Sequence, residues 1–396
     1  MDGQTAAEYA YDLEANLQSL LERFKSGSYR APPVRRVHIP KGDGSETRPI
    51  GIPTFEDKVL QRAVTMVLEA VYEQDFLDCS YGFRPRRSVH QALGELWQRS
   101  MEMHGGWVLE VDIRGFFSSL GHSHLRGILD QRVRDGDLRR MIDKWLNAGV
   151  QEAGSLTFPD GTGTPQGGVI SPLLANVYLH EVVDRWFEEQ IKPLLEGHAF
   201  LVRYADDLVF VFASMRDARR VKAVLPKRFG KFGLTLHPGK TRLLPFSRPQ
   251  GRSRGKGRDD WDSRPQIFDF LGFSHSWGRS RKGNWVVKRK TAPNRYRRAV
   301  RSIDQWCRRN RHVSIEEQHL TLSQKLRGHY GFYGITGNSN ALARFCDAVT
   351  RSWKRWLDRR SQRARLGWTK FVRLLRKYPL PPPRAVHSVL RHAANL

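Results

Sequence analysis

Two adjacent carboxylates lie between two apolar, alternating runs in the middle of the chain. The segment 200–212 reads FLVRYADDLVFVF, with Asp206 and Asp207 at its centre. Alternation on both sides of a short break predicts a tight β-hairpin with both carboxylates at its tip. Two neighbouring negative charges flanked by apolar strands are unfavourable unless a cation lies beside them. Magnesium suits this place, because it takes hard oxygen ligands and leaves coordination positions open for phosphates.

A second predicted strand supplies a third carboxylate. Residues 107–112 read WVLEVD, alternate like a strand and end at Asp112, shortly before the aromatic pair Phe116 and Phe117. If this strand lies beside the hairpin, the three carboxylates form a site for two magnesium ions, the arrangement used for in-line phosphoryl transfer. The expected chemistry is nucleotide addition. The alternative is an ordinary turn, because Asp tolerates turn conformations and caps its own backbone.

The surroundings of these carboxylates resemble the group II intron-encoded reverse transcriptases, over nearly the whole chain to about Pro383. Seven blocks follow one another in the order that the family shows. They are RPIGIPT at 48–54, SYGFRP at 80–85, VDIRGFF at 111–117, GTPQGGVISP at 163–172, YADD at 204–207, GLTLHPGK at 233–240 and FLGF at 270–273. The later segment LRGHYGFYG at 326–334 resembles the thumb and maturase region of the same family.

The resemblance implies an α+β fold with the right-hand architecture of a polymerase. The expected reverse transcriptase domain spans 1–278, with the fingers at 1–105 and the palm at 106–278. Within the palm, the Gly- and Arg-rich stretch 247–265 is expected to be a mobile insertion. An all-helical, basic thumb or maturase-like domain that binds RNA is expected at 279–396.

The same resemblance implies the roles of the carboxylates. Asp112, Asp206 and Asp207 are the expected catalytic residues. Asp112 and Asp206 are the expected direct metal ligands, with Asp207 completing the charge and the backbone carbonyl of Ile113 assisting. Of two Mg²⁺ ions, one would activate the primer 3′-hydroxyl and the other would hold the triphosphate and the leaving pyrophosphate. Mn²⁺ is the expected substitute.

Lys41, Arg48 and Phe117 are assigned to the incoming nucleotide. Lys41 and Arg48 flank the turn of the fingers and would face the triphosphate, since Arg suits a bidentate phosphate contact and Lys a point charge. The alternative for both is a surface cation. Phe117 follows Asp112 at the position where the family places an aromatic ring beneath the sugar. A ring there would collide with a ribose 2′-hydroxyl and select deoxynucleotides, the alternative being a core residue.

Two further residues are assigned to the nucleotide and three to the nucleic acid strands. Gln166 lies in the Pro-Gln-Gly-Gly turn at a helix start, where it would contact the nucleotide. Lys240 would act near the pyrophosphate, with a solvated surface lysine as the alternative. Leu271 and Gly272 resemble the part of the family that supports the primer end. Arg84 is expected to contact template or nucleotide, and a structural ion pair is the alternative.

The positive charge of the chain is concentrated near its C-terminus. The 396 residues carry a formal net charge of +27, and residues 279–396 alone carry 29 Lys and Arg against 5 Asp and Glu. The usual counter-charge for such a surface is a phosphate backbone. Trp353, Trp356 and Leu357 fall at helical spacing, which favours a folded RNA-binding domain over a basic tail or a membrane-surface segment.

Cysteine usage and hydropathy restrict the partners and the compartment. Cys79, Cys307 and Cys346 show no CxxC spacing, so neither a zinc module nor a disulfide framework is expected. The sequence has no apolar run of transmembrane length and no signal peptide. The expected location is therefore the cytoplasm, in a reduced state and without a membrane partner.

The combined prediction is an RNA-directed DNA polymerase that extends a DNA or RNA primer on an RNA template with deoxynucleoside triphosphates. The resemblance implies that the template is group II intron RNA and that the protein assists intron splicing and mobility. One alternative is an RNA-binding splicing factor with an inactive polymerase. The other is a free-standing reverse transcriptase adopted by a host for phage defence or DNA repair, since the N-terminal extension of the family does not precede Asp2 here.

Overall fold

The computed structural model describes residues 3–41, 46–164, 167–249, 266–361 and 366–387. The side chains of Lys41 and Glu46 lie outside this description, as do residues 250–265 of the predicted insertion. The chain divides into two units, Met1–Ser247 and Arg248–Leu396. Each unit has its own apolar core.

Helices and strands alternate along the first unit. Its helices are α1 (Ala6–Tyr11), α2 (Leu13–Lys25), α3 (Phe55–Tyr72), α4 (Val89–Glu102), α5 (Phe116–Ser119), α6 (His122–Leu129), α7 (Gly136–Leu146), α8 (Ser171–Leu179) and α9 (Met215–Gly230). Its strands are β1 (Val34–Lys41), β2 (Glu46–Ile52), β3 (Trp107–Asp112), β4 (Val150–Glu152), β5 (Ser155–Thr157), β6 (Ala199–Tyr204), β7 (Asp207–Phe212) and β8 (Arg242–Pro245). Two π-helical segments, His180–Asp184 and Trp186–Ile191, continue α8.

A four-stranded antiparallel sheet in the order β6–β7–β3–β8 carries the predicted carboxylates. β6 and β7 form the predicted hairpin, and Tyr204 pairs with Asp207, so that only two residues connect the strands. β3 pairs with the other edge of β7 and places Asp112 opposite Asp207. Helix α4 packs on β6, and α9 packs on β3 and β7. The strand interiors are buried, which explains their almost continuous apolar sequence.

Local signals at helix ends predict some boundaries and miss others. A Ser directly before an apolar run at helical spacing predicts a helix cap, and Ser88 caps α4 in this way, because its Oγ accepts a hydrogen bond from the Gln91 N–H. The same rule predicts a cap at Ser123 and is wrong there, because α6 begins at His122 and Ser123 lies inside its first turn. The helical spacing of apolar residues such as Leu13, Leu17 and Leu20 predicts a single helix over 6–26, but the helix is interrupted at Asp12, where the backbone leaves the helical region at φ −128° and ψ 60°.

The second unit begins with a small sheet and continues with helices. Its strands are β9 (Phe268–Phe270), β10 (Phe273–Arg279) and β11 (Trp285–Thr291), in the order β11–β10–β9. Its helices are α10 (Pro293–Arg309), α11 (Ile315–Tyr333), α12 (Ser339–Asp358) and α13 (Trp368–Lys377). Trp353, Trp356 and Leu357 are buried in its core, as their spacing predicts.

The division between the units falls earlier than the predicted boundary at 278/279. The sheet belongs to the helical unit because Asn338, before α12, bonds to Thr291 at the end of β11. The Asn338 Oδ1 accepts from the Thr291 N–H at 3.0 Å, and the Asn338 Nδ2 donates to the Thr291 Oγ1 at 2.9 Å. The predicted all-helical region at 279–396 therefore opens with a strand, and its helices start at Pro293.

The described ranges contain no helix that is both long and apolar enough to cross a membrane. Their cysteines are free thiols, of which Cys79 and Cys307 are buried and Cys346 is partly buried. Burial raises the pKa of the Cys79 thiol and that of Cys307, the latter to about 12, so both are poor nucleophiles.

Candidate active site

Three carboxylates meet where β3 ends and the β6–β7 hairpin turns. Asp112 and Asp207 are opposed in the antiparallel pair. Opposed residues project from the same face of a sheet, with their Cβ atoms about 5 Å apart. Asp206 occupies the two-residue loop beside them and interacts electrostatically with Asp112. The fold thus brings together the three acids that the sequence singles out.

The electrostatic environment of Asp206 favours a nearby cation. Burial raises the pKa of the Asp206 carboxyl above its usual value, and the charge of Asp112 raises it further. Arg48, exposed on β2, and Arg203, buried in β6, lower this pKa, but the net shift is upward. A divalent cation at the tip would oppose both the desolvation and the like-charge repulsion.

The donor set fits a hard cation that is shared with substrate. Within the described residues, no three His, Cys, Asp or Glu side chains stand close enough to hold a metal ion by themselves. Mg²⁺ usually takes only one or two protein carboxylates and completes its shell with water and substrate phosphates. Asp112 and Asp206 satisfy that smaller requirement, and all the donors are oxygens.

The backbone of Ile113 is oriented toward the hairpin. Ile113 forms an isolated antiparallel bridge with Leu236, and the His237 N–H donates to the Asp112 carbonyl at 2.8 Å. Successive peptide groups point to opposite sides of a strand. The Ile113 carbonyl therefore faces away from the Leu236 segment and toward the side on which β7 and its acids lie.

Lys240 reaches the carboxylates from the segment before β8. Its Nζ lies 3.2 Å from the Asp112 Oδ2, and more than half of its side chain is exposed. The Lys240 N–H donates to the His237 carbonyl, so the lysine belongs to the same turn that pairs with Asp112. An exposed lysine on a carboxylate is free to exchange that partner for a phosphate. Its predicted action near the pyrophosphate stays a prediction.

Phe116 and Phe117 have different surroundings on the short helix α5. Phe116 is buried in the core of the first unit, whereas Phe117 is only partly buried. Their ring centroids lie 5.3 Å apart. The Thr164 N–H donates to the Phe117 carbonyl at 2.8 Å, which ties α5 to the loop that leads to Gln166. The part-exposed ring is the one predicted to contact the sugar.

The Pro-Gln-Gly-Gly turn approaches β2 through a glycine. At Gly167, where φ is +116°, a Cβ atom would lie 2.6 Å from the Gly51 carbonyl oxygen and 2.6 Å from the Ile50 side chain. Only glycine permits this approach. Gln166 itself lies outside the described residues, so its nucleotide contact stays a prediction, as does that of the Lys41 side chain.

A buried hydrogen-bond network anchors the end of this turn. The Gln61 Oε1 accepts from the backbone N–H groups of Val169 and Ile170 at 2.7 and 3.3 Å. The Gln61 Nε2 donates to the Asp57 Oδ2 at 2.8 Å, and the Asp57 Oδ1 accepts from the Trp145 indole at 2.7 Å. Burial raises the pKa of the Asp57 carboxyl. The network fixes Val169 and Ile170 relative to α3.

Arg203 stabilises the hairpin tip through buried hydrogen bonds, a role that the sequence analysis did not predict. Its fully buried guanidinium makes an ion pair with Asp184, at 2.7 Å from Nε and 2.5 Å from Nη2. Further bonds reach the Asn176 Oδ1, the Ser80 Oγ and the Ala205 carbonyl, at 3.0, 2.7 and 3.1 Å. The only available signal was a single charge within the buried run FLVRY, where a charge needs a partner.

The surroundings of Arg84 support the alternative prediction for this residue, a structural ion pair. Its side chain is 4% exposed and faces Glu73 at 3.0 Å. Its Nη1 donates to the carbonyls of Leu77 and Ser80 at 2.7 and 2.9 Å. A guanidinium that is buried and bonded in this way is not available to a template. The predicted template contact of Arg84 is therefore not supported by its position.

Leu271 and Gly272 form the tight turn between β9 and β10 in the second unit. Both have positive φ, 49° for Leu271 and 85° for Gly272. The Ala292 N–H donates to the Gly272 carbonyl at 3.0 Å, which fixes the turn against the start of α10. A leucine in the left-handed region is strained, which indicates a constrained position. Their support of the primer end stays a prediction.

The comparisons with known proteins agree with this site. The model of the family described as reverse transcriptase (RNA-dependent DNA polymerase) matches residues 39–275, a range that includes the three carboxylates. The chain therefore belongs to the reverse transcriptase family. Polymerases of this family generally depend on divalent metal ions.

Two curated relatives indicate the branch of the family that this chain resembles. The group II intron-encoded protein LtrA of Lactococcus lactis is 42% identical over 170 residues, which cover 43% of this chain and 28% of that protein. Protein YkfC of Escherichia coli is 38% identical over 241 residues, covering 53% of this chain and 62% of that protein. The chain thus spans less than two thirds of either relative.

One solved structure is similar at lower identity. Telomerase from Candida albicans, in complex with a fragment of telomeric RNA, gives a TM-score of 0.49 at 13% identity. The superposition covers 92% of this chain and 67% of that chain.

Proposed function

We propose that this chain is an RNA-directed DNA polymerase that adds deoxynucleotides to a primer 3′ end. The observation that carries the proposal is the register that opposes Asp112 and Asp207, with Asp206 in the adjoining loop. The match of residues 39–275 to the reverse transcriptase family supports the same chemistry. The RNA template, the DNA or RNA primer and the deoxynucleoside triphosphates are the proposed substrates.

Asp112 and Asp206, with the Ile113 carbonyl, are the proposed ligands of two Mg²⁺ ions, for which Mn²⁺ can substitute. The ions supply activation of the primer 3′-hydroxyl and charge stabilisation at the leaving pyrophosphate. Arg48 and Lys240 bring fixed positive charge to the triphosphate, because both lie close to the acids. Catalysis of this kind depends mainly on positioning and on placed positive charge.

The second unit is the proposed binding surface for structured RNA. On α10, Ile303 and Cys307 are buried, while Arg297, Arg301 and Arg308 are exposed on the opposite face. One helix thus presents its apolar face to the core and a row of guanidinium groups to solvent. Guanidinium groups bind phosphate oxygens without regard to base sequence.

Group II intron RNA is the proposed RNA partner, and assistance to splicing and mobility in the cytoplasm is the proposed biological role. Support comes from the similarity to LtrA, a group II intron-encoded protein. The measurement is self-splicing of a group II intron precursor with and without the protein. Acceleration supports the role, whereas DNA synthesis without acceleration favours a free-standing reverse transcriptase in defence or repair.

Primer extension tests the polymerase directly. Wild-type protein with poly(rA)/oligo(dT), dTTP and Mg²⁺ should extend the primer, and the Asp112→Asn variant should not. Binding of the same duplex by both proteins controls for folding. If the wild-type protein binds RNA but incorporates no deoxynucleotide, the chain is an RNA-binding splicing factor rather than a polymerase.

A further inference from the structure

The segment Gly82–Arg87, called here the 82–87 loop, has an unfavourable backbone at two positions. Phe83 and Arg86 both lie in the left-handed region, with φ of 58° and 60°. Residues that carry a Cβ avoid this region, and a large side chain such as Phe avoids it most. Backbone strain of this kind persists only where the surroundings impose it, and it is concentrated at functional sites.

The surroundings of the 82–87 loop do impose its conformation. The Asn176 Nδ2 donates to the Gly82 carbonyl at 2.6 Å, and a Cβ at position 82 would clash with the backbone nitrogen of Ala205. Arg84, bonded to Glu73, anchors the middle of the loop. The loop is therefore packed directly against the hairpin tip that carries Asp206.

The anchored loop presents an aromatic ring and a cation to solvent. Phe83 is 51% exposed, and its ring centroid lies 6.5 Å from that of Tyr204, two residues before Asp206. Arg86 is also exposed. An exposed phenyl ring makes no favourable interaction with neighbouring carboxylates. It gains from a base or a sugar, because aromatic rings stack on any base, and an exposed arginine gains from a phosphate.

We propose that the 82–87 loop is a preformed contact for the template–primer duplex at its primer end. Phe83 packs on a base or sugar beside the hairpin tip, and Arg86 contacts a backbone phosphate. This inference rests on the proposed polymerase function, which requires the primer 3′ end to reach Asp206 next to Phe83. It also reassigns the template contact predicted for the buried Arg84 to the two residues that flank it along the loop.

Substitution by glycine separates a binding role from a structural one. Glycine adopts φ near 60° without strain, so Phe83→Gly and Arg86→Gly should leave the unfolding midpoint unchanged or raise it. Phe83→Gly should weaken binding of an RNA/DNA template–primer duplex about tenfold, as expected for loss of one stacking contact. Arg86→Gly should reduce the slope of log K against log salt by about one, the value for one lost phosphate contact.

His104→Gly is the matched control. His104 is exposed, has φ of 56° and follows α4, at the end of β3 opposite to Asp112. Its replacement relieves the same kind of strain, so it should preserve or raise the unfolding midpoint without changing duplex affinity.

Two outcomes overturn the inference. One is wild-type duplex affinity and salt slope in both loop variants, and the other is a clear loss of stability on substitution by glycine. Failure of the wild-type protein to extend a primer would instead remove the proposed polymerase function. Duplex affinity, measured without nucleotide, still reports on the loop in that case.

Discussion

At the scale of single residues, Asp206 is held where its charge is unfavourable in the absence of a cation. Burial and the neighbouring Asp112 raise the pKa of its carboxyl. The folded protein therefore binds a proton at Asp206 more tightly than the unfolded chain does. By linkage, the contribution of Asp206 to the free energy of unfolding falls as the pH rises from about 4, the ordinary Asp pKa, through the raised value.

Asp206→Asn should therefore stabilise the metal-free protein at neutral pH. We expect a higher unfolding midpoint than wild type in EDTA at pH 7, and a smaller difference near pH 4, because proton uptake by the wild-type carboxyl reduces its unfavourable charge. Thermal unfolding at both pH values measures this. The exposed Asp160, changed to Asn, is the control for loss of one charge. A variant less stable than wild type at pH 7 would contradict the electrostatic account of the tip.

Phe117 should control the choice of sugar. Its ring is partly buried on α5, beside the core residue Phe116. Phe117→Ala opens space for a 2′-hydroxyl, and we expect the preference for dTTP over UTP to fall by about tenfold or more, the scale of discrimination by one apolar contact. Steady-state kcat/KM for the two nucleotides on the same primer measures it. An unchanged ratio would remove Phe117 from this role.

At the scale of elements, the hairpin depends on a buried ion pair beneath it. Arg203 joins β6 to Asp184, to Asn176 on α8 and to the Ser80 segment, and it also holds the carbonyl of Ala205, whose φ is 55°. Buried charges are costly unless their hydrogen bonds are satisfied. The Arg203 guanidinium thus connects several elements, and the position of the acids at the hairpin tip depends on these connections.

Arg203→Met should destabilise the protein by about 3–5 kcal/mol, because Asp184 is left buried and unpaired. Urea denaturation measures the change in the free energy of unfolding. Adding Asp184→Leu should recover part of the loss, since the unpaired charge is then removed. A double variant as unstable as the single one would show that the lost free energy of unfolding does not come from the unpaired Asp184 carboxylate.

The sequence predicts the elements that follow a local pattern and misses those set by distant contacts. The hairpin with Asp206 and the strand ending at Asp112 follow from alternation alone. Arg203 and the 82–87 loop do not, because their partners lie far along the chain. For Arg84, no local pattern distinguishes a template contact from an ion pair. The structure divides into its two units at 247/248, before the predicted boundary at 278/279, and Asn338, distant in sequence, joins β11 to the helices.

At the scale of the whole molecule, the two units differ in charge. Most of the excess of Lys and Arg belongs to residues 279–396. Binding of RNA by such a surface releases counterions, so its affinity falls as the salt concentration rises. The slope of that fall counts the phosphates that are contacted.

Replacing Arg297, Arg301 and Arg308 by Gln should reduce this slope by about three, one for each lost phosphate contact. RNA binding measured by filter retention at several salt concentrations gives the slope. The matched control replaces three exposed cations of α9, Arg219, Lys222 and Lys227, by Gln. If the control lowers the slope as much as the α10 variant does, the RNA surface has been assigned to the wrong unit.

The most direct test of the account is a count of divalent cations at the three acids. Mn²⁺ binding, followed by electron paramagnetic resonance, is measured with a 3′-deoxy-terminated primer on an RNA template and the matching dNTP. The wild-type complex should bind two ions per chain, and Asp112→Asn and Asp206→Asn should each bind fewer. Equal numbers of ions in the wild-type protein and both variants would contradict the assignment of this site to metal-dependent nucleotide addition.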